Sequence, residues 1–193
     1  NKDMRRLLGG KGANLAQMTT LGFPVPDGFT ITTEACLAFY DNHNQLNDDT
    51  LTLYESAIAQ LSEQAGNQLH SPTNTLLVSV RSGAAISMPG MMDTILNIGL
   101  NDQTVEVLAN MTDNRRFAYD SYRRLLAMFG NVVYEIPEGV FDQVLEDVKT
   151  THNYQSDLDL TVSDLKEIVD QFKDLYVGKA GKVFPQDPKE QLL

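Results

Sequence analysis

The sequence predicts an α+β fold in which an α/β first part precedes a helical second part. The first 100 residues mix helically spaced apolar positions with short apolar runs, of which residues 76–80 form the strongest strand pattern. Beyond about residue 101 the helical pattern dominates and continues to about residue 180. We therefore predict an α/β lobe at residues 1–100, a helical lobe at 101–183 and an extended segment at 184–193.

The first part opens with a glycine-rich loop at residues 9–12, followed by a predicted helix at 13–21. Gly22 is suited to end that helix, because a glycine adopts a left-handed backbone without strain. Residues 29–32 alternate like a half-buried strand, and Thr33 is a suitable cap for a helix that begins near residue 34.

One apolar stripe at residues 51–65 predicts a further helix. The apolar run at 76–80 predicts a buried strand that ends at Arg81.

Three longer helices are predicted in the second part. Asn114 caps a long helix that Gly130 ends, residues 140–148 mark the next, and Ser163 caps a third that Gly178 ends. In the first of these helices the positions that lie near one face are Phe117, Ser121, Tyr122, Leu125, Met128 and Phe129. In the third, the expected buried stripe consists of Leu165, Ile168, Val169 and Phe172.

Composition excludes several classes of protein and partner. A hydrophobic fraction of 42% is too high for a disordered chain, and no apolar run approaches the roughly 18–20 residues that cross a bilayer. The net charge of −11 argues against nucleic acid and against an anionic membrane surface as partners. A phosphate ligand stays possible, because local lysine, arginine and backbone N–H groups decide its binding.

Cysteine and histidine give no catalytic or metal-binding pattern. Cys36 is the only cysteine, so neither an internal disulfide nor a zinc site is expected, and a reducing compartment is indicated. We expect Cys36 to be a small buried apolar residue on a helix. His43, His70 and His152 lie in polar stretches without metal-ligand spacing and are predicted to be surface residues.

The segment at residues 9–14 is the first candidate for ligand chemistry. Its glycines allow backbone N–H groups to approach a phosphate closely, a helix N-terminus follows, and Lys11 adds a positive charge. The spacing is not that of a P-loop. A tight turn with a solvated lysine explains the same residues equally well.

Arg81 is the second candidate, because ligands of open α/β sheets bind beyond the carboxyl ends of the strands. Its guanidinium is able to clamp phosphate oxygens in a bidentate way. The alternative is a structural ion pair with an acidic side chain, since an arginine at a buried strand end needs a partner.

The loop at residues 87–94 is the third candidate. It combines a Pro-Gly pair, three methionines, one carboxylate and the hydroxyl of Thr94. Such a loop suits a flap over a ligand, although methionines also fill gaps in packed loops. Its position only a few residues after Arg81 favours the flap.

Four arginines cluster on the predicted helix that begins near residue 114. The spacing of Asp120 to Arg116 and to Arg124 predicts i,i+4 ion pairs on the surface. The alternative is that one of these arginines contacts a phosphate. The four are Arg115, Arg116, Arg123 and Arg124.

Taken together, these segments resemble the pyruvate, phosphate dikinase family. The matching stretches are residues 7–15, 22–30, 78–100 and 116–124, and 79–94 is the most specific block. The related phosphoenolpyruvate synthases are similar around Lys11 and Arg81 but carry a different loop where this chain has residues 88–93.

The resemblance implies a partial ATP-grasp-like nucleotide-binding domain with an inserted helical subdomain. It implies an enzyme that converts ATP, phosphate and pyruvate to AMP, pyrophosphate and phosphoenolpyruvate. By the same resemblance, a phosphohistidine on another domain of the full-length chain is expected to relay the phosphoryl group, and Mg²⁺ is the expected metal. None of the three histidines here matches the relay histidine.

The resemblance also implies roles for individual residues. Lys11 and Arg81 are expected to contact the ATP phosphates and to be catalytic, and Arg124 is a further phosphate-contact candidate. The phosphate-covering loop is expected to include Gly90, Met91, Met92, Asp93 and Thr94.

The family's initial strand, second ATP-grasp lobe, relay domain and pyruvate domain have no counterpart in these residues. We therefore expect the magnesium ligands mainly outside this chain, and we expect the chain alone to be inactive. The full-length protein is expected to be a cytoplasmic homodimer, or plastidic in a photosynthetic host. The alternatives are a fragment of a phosphoenolpyruvate synthase-type phosphotransferase and a non-catalytic nucleotide-binding module.

Overall fold

The computed structural model describes residues 2–83 and 93–193. In these ranges the chain is mostly helical with one two-stranded sheet, which confirms the α+β prediction. The contacts divide the chain into two compact units. Of the described residues, 2–67 and 81–83 belong to the first unit, and 68–80 and 93–193 belong to the second.

Three helices build the first unit: α1 (Lys2–Thr20), α2 (Thr33–Asp41) and α3 (Asp48–Ala65). Helix α1 is kinked at Gly9, whose φ of 70° and ψ of 174° are open only to glycine without strain. The loop predicted at residues 9–12 is therefore a one-residue kink, and helix resumes directly after it.

Helix α1 ends as predicted at Gly22, which has a φ of 78°. The N–H of Gly22 donates to the carbonyl of Thr19 at 3.0 Å, and that of Phe23 donates to Met18 at 3.0 Å. This pair of bonds is the Schellman pattern, which satisfies carbonyls that the helix end would leave unpaired.

The strand predicted at residues 29–32 is wrong, because these residues have no strand partner in the described ranges. Thr32 instead caps α2 by accepting a hydrogen bond from the N–H of Ala35 at 3.2 Å. The predicted cap, Thr33, is the first helical residue, and its hydroxyl donates to the carbonyl of Arg6 at 2.8 Å. The cap therefore lies one residue earlier than predicted.

The stripe predicted at 51–65 is confirmed by α3, which buries Tyr54, Ile58 and Leu61. Helix α2 has no buried residue among those described, and its Cys36 is exposed. The prediction of a buried cysteine is therefore wrong, since Cys36 lies on the exposed side of this helix.

The sheet pairs β1 (Val78–Arg81) with β2 (Thr94–Ile98). The prediction of a buried first strand is wrong: Val78 is half-buried and the other three residues of β1 are exposed. The buried strand is β2, which places Ile95 and Ile98 in the core.

The second unit is built around a long central helix that packs against its neighbouring helices and β2. A 3₁₀ turn at Asp157–Asp159 and a π-helical turn at Tyr176–Ala180 join its later helices. The helices are α4 (Thr104–Thr112), α5 (Arg115–Tyr134), α6 (Glu138–His152), α7 (Val162–Leu175) and α8 (Pro188–Leu192). Among the described residues, no helix is both long enough and apolar enough to span a membrane.

Three of the predicted boundaries of these helices need correction, two of them at α7 and the turn that follows it. The cap of α7 is Thr161 and not Ser163, because Thr161 and Asp164 exchange hydrogen bonds in a capping box. Gly178 lies within the π-helical turn, which ends at Gly181 with a left-handed φ of 62°. The cap predicted at Asn114 is confirmed by its bond from the N–H of Phe117 at 2.9 Å.

The predicted helix end at Gly130 is also wrong, because α5 continues to Tyr134. Gly130 has a packing role instead. A Cβ at this position would lie 2.5 Å from Cζ of Phe141 and 3.2 Å from Cζ of Tyr176. Both rings are buried, so neither is able to move aside freely.

We expect Gly130→Ala to lower the free energy of unfolding by about 1–3 kcal/mol, since overpacking a closed core forces its side chains to shift. Gly139→Ala is the matched control, because nothing lies within 4 Å of its added methyl group. Urea unfolding of the two variants measures both values. Equal midpoints for the two variants would contradict the packing role.

The segment predicted as extended at residues 184–193 packs back onto the second unit. Phe184 is 1% exposed, with its ring centroid 5.4 Å from that of Phe129. Residues 188–192 form α8, which Asp187 caps by accepting from the N–H of Lys189 at 2.9 Å. Gln191 then accepts from the N–H of Gly99 at 2.9 Å, so this end is fixed beside β2.

Candidate functional site

Lys11 lies in the first turn after the kink of α1 and is half-buried. The positive end of a helix dipole lies in such a turn. Gly12 is packed tightly, since a Cβ there would lie 3.0 Å from Oγ1 of Thr30 and 3.1 Å from Cβ of Leu8. The glycines therefore serve two local purposes, the kink at Gly9 and the close approach at Gly12, beside any part in ligand binding.

Arg81 is the last residue of β1 and is exposed. The cost of a buried unpaired arginine therefore does not arise here. Within the described ranges Arg81 forms no ion pair, so the alternative of a structural ion pair finds no support. Arg81 is grouped with the first unit, as is Lys11.

The predicted phosphate-covering loop is only partly described. Gly90, Met91 and Met92 lie outside the described residues. Asp93 is exposed, and Thr94 is the half-buried first residue of β2. Both belong to the second unit.

Arg124 lies on α5 with a side chain 58% exposed, and its Nε donates to Oδ2 of Asp120 at 2.9 Å. This confirms the ion pair predicted between the two residues. The pair predicted between Arg116 and Asp120 is wrong. Arg116 donates instead to the carbonyls of Leu160 at 2.9 Å and Asp157 at 2.5 Å, which lie in the segment that connects α6 to α7.

Arg123 is the buried charge that the sequence analysis missed. Its side chain is 7% exposed, and it donates to Oδ1 of Asp120 at 2.8 Å and to Oδ2 of Asp157 at 2.9 Å. Lys149 donates to the other oxygen of Asp157 at 3.1 Å. The i,i+3 spacing of Asp120 and Arg123 was the available signal, but Asp157 is distant in sequence.

The partners of Asp157 determine its electrostatics. Burial raises the pKa of this carboxyl, but the hydrogen bond from Lys149 and the charge of Arg123 outweigh it, so the pKa lies below its usual value. Asp157 therefore stays ionised and holds both cations.

The three histidines are exposed, as predicted. His70 lies 2.9 Å from Oε1 of Gln103 and 3.1 Å from Nδ2 of Asn101, and His152 lies 3.6 Å from Asp164. Among the described residues, no group of three His, Cys, Asp or Glu side chains is arranged to hold a metal ion.

A small cavity of about 170 Å³ lies along α1, and neither Lys11 nor Arg81 lines it. It therefore does not mark the predicted phosphate site. Its lining consists of Met4, Arg5, Ala13, Asn14, Ala16, Gln17 and Thr20.

Comparison with known proteins confirms the predicted resemblance. Residues 5–66 match the family model described as pyruvate phosphate dikinase, AMP/ATP-binding domain. The chain is 50% identical over 194 residues to the pyruvate, phosphate dikinase of Clostridium symbiosum, covering 100% of this chain and 22% of that protein.

Plant relatives match equally well. The chain is 52% identical over 192 residues to the chloroplastic pyruvate, phosphate dikinase of Flaveria pringlei, and 50% identical to the chloroplastic enzyme 1 of Zea mays. Both alignments cover 100% of this chain and 20% of the relative. The chain thus spans about a fifth of the length of the relatives it matches, 20–22%.

Proposed function

We propose that this chain is the N-terminal part of the ATP-binding domain of a pyruvate, phosphate dikinase. The identity of 50% over the whole chain, together with the AMP/ATP-binding match at residues 5–66, carries the proposal. The full-length protein converts ATP, phosphate and pyruvate to AMP, pyrophosphate and phosphoenolpyruvate. A phosphohistidine on another domain of the same chain carries the phosphoryl group between the two halves of this reaction.

Lys11 and Arg81 bind the ATP phosphates in this proposal. Phosphoryl transfer needs positioning and charge neutralisation more than covalent protein chemistry. Exposed Arg81, which has no ion pair in the described part of the chain, retains a full guanidinium for phosphate oxygens. Lys11 adds a point charge at the positive end of a helix.

The loop at residues 90–94 covers the phosphates, and Arg124 supplies a further contact. Asp93 and Thr94 lead directly into β2, so the described end of the loop is anchored in the sheet. The fold in this proposal is a partial ATP-grasp-like domain with an inserted helical subdomain. Its parts are the ones predicted from sequence: lobes at residues 1–100 and 101–183, followed by the segment 184–193.

Mg²⁺ neutralises phosphate charge in such reactions when it is bound. The resemblance implies that the magnesium ligands lie mainly outside this chain. It also implies that the chain alone is inactive.

The full-length protein acts as a homodimer in the cytoplasm, or in the plastid of a photosynthetic host. The relatives from Flaveria pringlei and Zea mays named above are chloroplastic, whereas that from Clostridium symbiosum is bacterial.

A single-turnover experiment on the full-length protein tests the proposal. ATP and phosphate without pyruvate should yield AMP and pyrophosphate to about one equivalent per active site, because the phosphoryl group stays on the relay histidine. The isolated 193-residue chain should yield neither product. Product formation by the isolated chain, or none by the full-length protein, would contradict the proposal.

A further inference from the structure

We propose that Asp120 is a positioning residue that orients the Arg124 guanidinium toward a phosphate group. The inference rests on the proposed function, in which Arg124 contacts phosphate. It assigns the orientation of that arginine to a carboxylate on the same helix.

Asp120 binds two arginines through its two carboxylate oxygens. Oδ1 accepts from Nε of Arg123 at 2.8 Å, and Oδ2 accepts from Nε of Arg124 at 2.9 Å. The carboxylate is 17% exposed, so it lies between a buried partner and an exposed one. Its rotation is restricted, because turning it would break both bonds.

The buried side of this arrangement is firmly anchored. Arg123 donates a second bond to Asp157 at 2.9 Å, and Asp157 accepts from Lys149 on α6 at 3.1 Å. Asp120 on α5 is thus linked through Arg123 to two other elements of the second unit, the 3₁₀ turn and α6.

The two terminal nitrogens of the Arg124 guanidinium stay open to a ligand. Arg124 uses only Nε toward Asp120 and makes no other hydrogen bond with the described residues. The two terminal nitrogens keep the planar fork that matches two oxygens of a phosphate. A guanidinium held at Nε loses less rotational freedom when it binds, so affinity rises without a further contact.

The ligand chemistry is a phosphate group, which ATP and inorganic phosphate both provide. A neighbouring carboxylate also weakens the positive field of the arginine. If Arg124 acted only through its charge, removing the charge of Asp120 would therefore tighten phosphate binding. If the orientation of the Arg124 guanidinium matters more, as we propose, removing that charge weakens phosphate binding.

The test measures KM and kcat of the full-length protein separately for ATP and for inorganic phosphate. Arg124 contacts a phosphate group of either ATP or inorganic phosphate. We expect Asp120→Asn to raise the KM for that compound about tenfold, which is comparable to the loss of one charge-assisted hydrogen bond. Asp120→Glu, which keeps a carboxylate within i,i+4 reach, should recover most of the affinity. Asp170→Asn is the control: it removes a carboxylate from an exposed i,i+3 pair with Lys173 on α7, away from Asp120, so both KM values should stay the same.

A double-mutant cycle separates positioning from stability. In an Arg124→Ala background, Asp120→Asn should raise KM no further, although it should still lower Tm, because it weakens the bond to buried Arg123. Additive KM increases would overturn the inference, as would a tighter phosphate interaction in Asp120→Asn.

Arg124→Lys gives an independent test if Asp120→Asn does not fold. Lysine keeps the charge but lacks the Nε–H group that Asp120 holds, so its KM should approach that of Arg124→Ala. Wild-type KM values in Arg124→Lys with a raised KM in Arg124→Ala would overturn the positioning role alone. Wild-type values in Arg124→Ala would overturn the proposed phosphate contact of Arg124 itself.

Discussion

Arg81→Ala in the full-length protein is expected to lower kcat/KM for ATP about 10²–10³-fold, the loss typical of removing one preorganised charge donor at a transition state. The side chain is exposed and forms no ion pair with the described residues, so its removal leaves no partner unpaired. The folding of the protein should therefore be unchanged. Single-turnover formation of AMP and pyrophosphate measures the loss at the ATP step itself.

Arg115→Ala is the matched control for Arg81. Arg115 is also an arginine with a largely exposed side chain (53%), but it forms an ion pair with Glu106 and has no proposed role in phosphate binding. We expect its kcat/KM to stay within about twofold of the wild type, since exposed ion pairs contribute little. Near-normal turnover in Arg81→Ala would remove Arg81 from the proposed site.

Lys11→Ala is expected to lower kcat/KM for ATP about 10²-fold or more, because a cation close to transferring phosphate oxygens stabilises their charge. Alanine is the best helix former, so the segment of α1 after the kink at Gly9 should persist. Circular dichroism should show unchanged helix content.

Two further variants decide whether Lys11 acts by its charge. Lys11→Arg keeps the charge and should retain more activity than Lys11→Ala. Lys182→Ala removes an exposed lysine of the second unit that has no proposed role, and should leave the activity unchanged. Equal activity in Lys11→Ala and Lys182→Ala would show that Lys11 is only a solvated lysine.

Helices were predictable where local spacing alone determines them. The stripe of α3 and the core positions Leu165, Ile168, Val169 and Phe172 of α7 lie as predicted, because a helix buries residues three and four apart. Gly22 was predictable for a similar reason, since helices often end at a glycine with a left-handed backbone and the helix before it is local in sequence.

Positions that depend on distant residues were not predictable. Gly130 looked like a helix end, yet it is required by the rings of Phe141 and Tyr176, which no local pattern places beside it. Arg116 and Arg123 find their partners in the segment after α6 for the same reason. The strand predicted at residues 29–32 failed because alternation does not reveal whether a partner strand exists.

The candidate site depends more on the resemblance than on local chemistry. Lys11 and Arg81 each fitted two explanations from sequence alone, and only the family similarity favoured phosphate binding. The structure adds that Arg81 is exposed and that the turn of Lys11 follows a glycine kink. The roles of both residues stay predictions.

Phosphoenolpyruvate formation from ATP and pyruvate by the full-length protein, with and without inorganic phosphate, tests the central claim most directly. A dikinase should form phosphoenolpyruvate only when phosphate is added, and it should release pyrophosphate in equal amount. Formation without added phosphate would contradict this claim and indicate a phosphoenolpyruvate synthase. No formation under either condition would contradict it as well, and would favour a non-catalytic nucleotide-binding module.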